Sequence, residues 1–226
     1  MKKILALDAA TEACSAALYI DGESIGRFEV APQQHSQKLL PFVDELLAEA
    51  GIKLNQLDGI AFGQGPGSFT GVRIGVAITQ GLAFGADLPT VGVSSLATMA
   101  QQAIEQHQAQ YIVGAIDARM SEVYLGHYKN SQGLASLIDK ETVIKPELIQ
   151  AQNLSSAFAV GTGWQTYQQP LNTSLQCIST DVTLPNALYM LPLAIEQFKQ
   201  GHAVSAEHAQ PNYVRDEVSW KKLPGR

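Results

Sequence analysis

Two aspartates, Asp8 and Asp117, each follow a short apolar run and precede a stretch in which apolar and polar residues alternate. Thr11 adds a hydroxyl group to the first of these two turns. Paired carboxylates that face each other across a cleft can hold a metal–nucleotide complex when backbone N–H groups in the turns reach the phosphates. Asp8, Thr11 and Asp117 are therefore the candidates for nucleotide binding or ATP turnover.

The composition of the two turns argues against this chemistry. Turns that wrap closely around phosphates use glycine, whereas residues 8–11 and 117–120 contain none. Arg119 stands two residues after Asp117 and is expected to crowd or neutralise its carboxylate. The simpler interpretation is that both carboxylates cap turns or hold a salt bridge, and nucleotide turnover is kept as the alternative.

Other catalytic arrangements are absent from the sequence. The five histidines include no pair at the spacing of three or four that helical zinc sites need. Ser68 lies one place too early within residues 67–71 for the nucleophile elbow of a hydrolase. Cys14 and Cys177 are expected to be buried small hydrophobes rather than a disulfide or a nucleophile. We therefore predict no catalytic residue, no metal site and no cofactor.

A glycine-rich loop at residues 63–71 leads into a predicted helix at residues 70–84. The loop could bind an anion at the start of this helix. The helix carries apolar or small side chains around most of its circumference, and Arg73 is its only charged residue. A surface helix needs only one apolar stripe. The helix is therefore either buried on all sides in its own domain or covered by another chain, and a second predicted helix at residues 37–50 has a similarly wide apolar arc.

Composition restricts the class of protein. The chain has 226 residues, 46% hydrophobic and 16% charged, with a formal net charge of -6. This acidic balance argues against a protein that binds nucleic acid on its own, because phosphate binding depends on clustered Lys and Arg. No apolar run reaches the ~20 residues of a membrane span, and the first residues do not form a signal peptide. We expect a cytoplasmic protein.

The order of predicted elements repeats after about 109 residues, which is the separation of Asp8 and Asp117. Each unit begins with a strand that ends in aspartate and continues into an antiparallel strand. We predict an α/β fold made of two tandem ribonuclease H-like halves, with mixed sheets flanked by helices. The N-terminal half spans residues 1–108 and contains the glycine loop. The C-terminal half spans residues 109–226, and its tail is expected either to pack back on the first half or to fray.

Four stretches together resemble the bacterial TsaB (YeaZ) family, and their order and spacing extend over nearly the whole chain. They are Leu7-Asp8-Ala9-Ala10-Thr11, Gly65-Pro66-Gly67-Ser68-Phe69-Thr70-Gly71-Val72-Arg73, Ile116-Asp117-Ala118-Arg119 with Glu122-Val123-Tyr124, and Pro211-Asn212-Tyr213-Val214-Arg215. The resemblance implies the duplicated fold of the acetate and sugar kinase, heat-shock chaperone and actin superfamily. It also implies a role in the threonylcarbamoyl modification of the adenosine next to the anticodon, position 37, in tRNAs that read codons beginning with A.

The same resemblance implies a set of partners. A family member forms a heterodimer with its catalytic paralogue TsaD, whose metal-binding histidine pair it lacks, and further engages the ATPase TsaE. It is functionally linked to the threonylcarbamoyl-adenylate synthase, pairs with itself when alone, and meets tRNA only through the complex. The implied contact is a bundle of the helices at residues 37–50 and 70–84 with their counterparts. At position 214 valine stands where the family more often has leucine.

Two hypotheses of different class follow. The first is a non-catalytic scaffold whose two apolar helices bind the paralogue. Its predicted partner interface consists of Leu39, Val43, Leu46, Val72, Val76, Thr79 and Ala83. The second is a kinase or ATPase that uses Asp8, Thr11 and Asp117.

Overall fold

The computed structural model describes residues 3–152 and 154–215. The first sheet has the strand order β3-β2-β1-β4-β5, in which β1 to β3 form an antiparallel meander and β4 and β5 run parallel to β1. Its strands are β1 Lys3–Asp8, β2 Ala13–Ile20, β3 Glu23–Val30, β4 Gly59–Gly65 and β5 Thr90–Ser94. The predicted meander is confirmed by the antiparallel pairing of β2 with both β1 and β3. Its tight turn at Asp21 and Gly22 is confirmed by the positive φ of both residues.

The second sheet has the order β11-β10-β6-β7-β8, and β9 also pairs with β7. Its strands are β6 Tyr111–Arg119, β7 Glu122–Ser131, β8 Leu134–Leu137, β9 Thr142–Ile144, β10 Ala157–Val160 and β11 Ile178–Ser179. The first three are antiparallel, and β10 runs parallel to β6 and to β11. This order reproduces that of the first sheet with β6 in the place of β1. The predicted duplicated α/β fold is confirmed.

Helices cover both faces of each sheet. They are α1 His35–Glu49, α2 Phe69–Ala86, α3 Ser95–His107, α4 Gly163–Thr166, α5 Gln168–Leu175 and α6 Ala187–Lys199. The helices α1 and α2 pack on one face of the first sheet and α6 packs on the other. The helix α3 joins α6 to the second sheet, whose far face is covered by α5. The two sheets are thus held together through the apolar contact of α3 with α6.

The chain returns to the first half after α6. The Gln80 side chain donates a hydrogen bond to the Ala209 carbonyl oxygen over 2.9 Å, and the Asn212 N–H donates to the Gln64 carbonyl oxygen over 2.8 Å. Residues 216–226, on which part of the predicted tail falls, lie outside the described residues. None of the helices in the described part of the chain has the length and apolar character that a bilayer crossing requires.

Candidate functional site

Asp8 ends β1 and is completely buried. Its Oδ1 accepts a hydrogen bond from the Ala10 N–H over 3.0 Å, and its Oδ2 has no hydrogen-bond partner among the described residues. Gly63 borders this carboxyl group so closely that a Cβ at position 63 would overlap Oδ2. Burial raises the pKa of Asp8 to about 7, and the hydrogen bond from Ala10 opposes this rise.

The glycine loop packs directly on the Asp8 turn. A Cβ at Gly67 would overlap the Ala10 carbonyl, and a Cβ at Gly71 would overlap the Ala9 carbonyl. The Ser68 N–H donates a hydrogen bond to the Ala10 carbonyl oxygen over 2.7 Å, and the Ser68 hydroxyl accepts one from the Gly71 N–H and so caps α2. The glycines therefore permit close contact between two segments of this chain, over the turn where a phosphate would have to enter.

Thr11 is buried and serves its own turn. Its hydroxyl accepts a hydrogen bond from the Ala13 N–H over 3.3 Å. Its carbonyl oxygen accepts one over 2.7 Å from Nε2 of His35, the first residue of α1. Both polar groups of Thr11 that face the turn are engaged, so the residue holds the turn against the helix.

Asp117 is neutralised within its own hairpin, as its sequence neighbours predict. The Arg119 N–H donates to Asp117 Oδ1 over 2.9 Å, and the Arg119 guanidinium donates to Oδ2 over 3.2 Å. The Tyr167 hydroxyl also donates to Oδ1, over 3.3 Å. The guanidinium lies 3.8 Å from Glu12 Oε1, so the two acidic turns face each other across the molecule. Asp8 and Asp117 are thus both engaged in turn contacts.

The predicted partner interface requires a correction. All seven of its side chains are at most 6% exposed, and they lie inside this chain. They are Leu39, Val43, Leu46, Val72, Val76, Thr79 and Ala83. Four of them, from α1 and the end of α2, belong to the core over the first sheet, and the two valines of α2 pack with Phe62 and Ala10. These residues form the inner faces of α1 and α2, so no exposed surface is made from them.

The outer face of α2 is the surface that these helices offer to solvent. Its exposed residues are Thr70, Arg73, Ala77, Gly81, Phe84 and Gly85, with Ile74 and Ile78 half-buried beside them. Phe84 is 80% exposed, and Leu40 on the neighbouring α1 is 43% exposed. The sequence shows that α2 is apolar on two faces, but it contains no signal for which face meets the sheet.

An aromatic cluster extends this outer face at the start of α2. The Arg73 guanidinium lies 3.5 Å above the centre of the Phe69 ring and donates hydrogen bonds over 3.1 and 3.2 Å to the Tyr213 hydroxyl. Phe69 is 56% exposed and Tyr213 is 52% exposed. Sequence reasoning missed this cluster because residues 73 and 213 are far apart in the chain.

The described residues offer little for a metal or a nucleophile. Within them, no three His, Cys, Asp or Glu side chains come together as a metal site would require. Burial raises the pKa of both Cys14 and Cys177 to about 12, which keeps the thiols unreactive. A polar depression of about 540 Å³ beside the end of β4 is lined in large part by neutral amides and by His202 and His208.

The fold and the site together define a class: a duplicated α/β protein in which both acidic turns are closed by contacts of the chain itself. A family model described as "TsaD: tRNA N6-adenosine threonylcarbamoyltransferase" matches residues 29–219. The "tRNA threonylcarbamoyladenosine biosynthesis protein TsaB" of Haemophilus influenzae is 50% identical, over 99% of this chain and 98% of the relative. That of Escherichia coli is 47% identical, over 99% of each chain.

A solved structure agrees with these relatives. The protein described as YeaZ from Pseudomonas aeruginosa superposes with a TM-score of 0.88 at 43% identity, covering 94% of this chain and 100% of that one. The chain belongs to the TsaB family.

Proposed function

We propose that this protein is a non-catalytic subunit of the machinery that makes the threonylcarbamoyl modification at adenosine 37 of tRNAs reading codons that begin with A. Membership of the TsaB family supports the pathway. The closure of both acidic turns supports a non-catalytic role. The main observation behind this inference is that Asp8 is buried beneath the glycine loop. In this proposal the protein works in the cytoplasm and meets tRNA only within the complex.

The proposed partner is the catalytic paralogue TsaD, in a heterodimer formed through the outer faces of α1 and α2. Ala77, Gly81 and Phe84 leave an apolar stripe on α2 in which Arg73 is the only charged group. Contiguous exposed apolar surface of this kind is typical of interaction sites. In the absence of the paralogue, the same stripe pairs with a second copy of this chain. The ATPase TsaE and the threonylcarbamoyl-adenylate synthase complete the proposed set of partners.

ATP turnover by the chain itself is the alternative, and it has weaker support. It requires Asp8, Thr11 and Asp117 to turn toward a nucleotide. Asp8 is fully buried and Asp117 is paired with Arg119. Freeing them would require the glycine loop and a hairpin to move together.

The proposed interface is tested by Ala77→Glu, which adds a charge at an exposed position in the middle of the stripe. We expect the affinity for the TsaD homologue of the same organism, measured by titration calorimetry, to fall at least tenfold because a charge without a partner is excluded from a buried interface. The rate of tRNA modification at limiting protein should fall with it. Asn172→Glu, exposed on α5, adds the same charge elsewhere and serves as the control. An unchanged affinity of Ala77→Glu would remove this surface from the proposal.

A further inference from the structure

The segment of residues 209–215 spans the two halves of the molecule after the last helix has ended. It contains no regular secondary structure. Even so, the segment is hydrogen-bonded along its length to distant parts of the chain. The hydrogen bonds that involve a side chain join residues 93 to 140 positions apart. A segment near the end of a chain that does not dock on the rest of the protein is normally held by few contacts.

One end of the segment is fixed to the first half. The Gln80 side chain of α2 holds the Ala209 carbonyl, and the Gln64 carbonyl at the end of β4 accepts the Asn212 N–H. The Tyr213 hydroxyl then accepts the two hydrogen bonds from Arg73. These contacts fix the segment along α2 and over the carboxyl end of β4.

The other end is fixed to the second half through Arg215. Its guanidinium donates to Glu122 Oε2 over 2.6 Å and to the Ala118 carbonyl oxygen over 3.2 Å. It also contacts the Met120 sulfur over 3.0 Å. The side chains of this ion pair are only 19% and 26% exposed, so water screens them less than a surface pair.

The segment therefore bridges the carboxyl end of β4 in one sheet and the hairpin after β6 in the other. The main apolar connection between the halves is that of α3 with α6. At the acidic turns, the ion pair that joins residues of the two halves directly, within the described part of the chain, is that of Arg119 with Glu12, and it is long at 3.8 Å. The ion pair of Arg215 with Glu122 is shorter, at 2.6 Å, and joins the second sheet to a segment that is itself hydrogen-bonded to the first half.

We propose that residues 209–215 form a brace that holds the two halves in one closed orientation, with Arg215 as the positioning residue. The brace is a property of the isolated chain. Since Gln80 and Arg73 belong to α2, seating the brace also fixes the start and middle of that helix relative to the second half. Any effect of this on docking at α2 rests on the proposed function, whereas the brace itself does not.

The test is a distance between the halves, measured by electron spin resonance on spin labels at Asp44→Cys of α1 and Asn172→Cys of α5. Both positions are exposed. Cys177→Ala removes the partly exposed native thiol, and Cys14 is buried. Excess unlabelled protein suppresses distances between copies. We expect a single narrow distribution in the parent and at least a doubling of its width in Arg215→Ala.

Three further variants keep the test decisive. Asn212→Ala is the matched control, because the backbone N–H of residue 212 makes the contact and its side chain is exposed. If Arg215→Ala fails to fold by circular dichroism, the swapped pair Arg215→Glu with Glu122→Arg should restore the narrow distribution that Glu122→Arg alone broadens. A distribution in Arg215→Ala that superimposes on that of Asn212→Ala overturns the brace. A failure of Ala77→Glu to weaken docking would leave this result untouched, because the distances come from the isolated chain.

Discussion

Asp8→Asn is expected to change how the stability of the protein depends on pH. The folded-state pKa of Asp8 is raised to about 7 from an ordinary 3.8, because the carboxyl is completely buried. The folded state therefore favours the protonated form. The contribution of Asp8 to stability is fully present below about pH 3.8 and is lost as the pH rises to about 7.

The magnitude follows from the two pKa values. Stability falls by about 1.4 kcal/mol for each pH unit between them, which is about 4 kcal/mol over the whole window. From pH 5 to pH 8 the fall due to Asp8 is about 3 kcal/mol. Typical domains have a free energy of unfolding of about 5–15 kcal/mol, so the effect is well within the range of measurement.

The assay is urea unfolding, followed by circular dichroism at pH 5 and pH 8. Asparagine keeps the shape of the side chain and the oxygen that accepts the Ala10 N–H, but it does not titrate. The comparison with Asp8→Asn cancels the contributions of Glu141, whose pKa burial raises, and of His127, whose pKa burial lowers. We expect the variant to lose about 3 kcal/mol less than the parent between the two pH values.

Asp44→Asn is the control, because Asp44 is an exposed residue of α1. Its pH dependence should stay within about 0.5 kcal/mol of that of the parent. Parallel curves for the parent and Asp8→Asn would refute the argument that Asp8 is a desolvated carboxyl. The same variant separates the two functional hypotheses, since tRNA modification should survive in Asp8→Asn if the subunit is non-catalytic and should be lost if Asp8 holds a nucleotide.

Two further predictions concern the packing of the turn and a second buried carboxyl. Gly67→Ala should destabilise the protein by about 2 kcal/mol or more, because its Cβ would overlap the Ala10 backbone. Gly81→Ala should stabilise the protein by up to about 1 kcal/mol, because nothing lies within 4 Å of a Cβ at that position. Equal changes in the free energy of unfolding, measured in urea, would contradict this prediction. Glu141 accepts hydrogen bonds from the hydroxyls of Ser94 and Tyr128, and burial raises its pKa. The stability of the folded state should therefore fall as the pH rises above 4.5, the ordinary pKa of a glutamate. Glu141→Gln should flatten this pH dependence in thermal unfolding. A difference in stability between parent and variant that is the same at every pH would contradict the prediction.

The features that local sequence determines could be predicted well. Asp8 and Asp117 each follow an apolar run and precede an alternating one, and this repeated pattern was enough to find the duplicated sheet. The turn at Asp21 followed from its sequence in the same way. In these cases the neighbours along the chain are also the neighbours in the structure.

Features that depend on distant contacts could not be predicted in this way. The face of α2 that meets the sheet is not encoded locally, because Val76 and Ala77 are both apolar and only the position of the sheet buries the first and leaves the second exposed. The contacts of Tyr213 with Arg73 and of Arg215 with Glu122 join residues 140 and 93 positions apart, for which the sequence provides no periodic signal.

The glycines of α2 connect the closed turn with the proposed docking face. Gly71 and Gly75 lie on the inner face of α2, and a Cβ at either would contact Ala9 of the Asp8 turn. Gly81 and Gly85 point outward, and no atom lies within 4 Å of a Cβ built on either. Each outward glycine costs about 1 kcal/mol of helix stability relative to alanine, with no contact inside the chain to offset it. A neighbouring helix that approaches closely would supply that contact, so these two glycines favour an occupant on the outer face of α2.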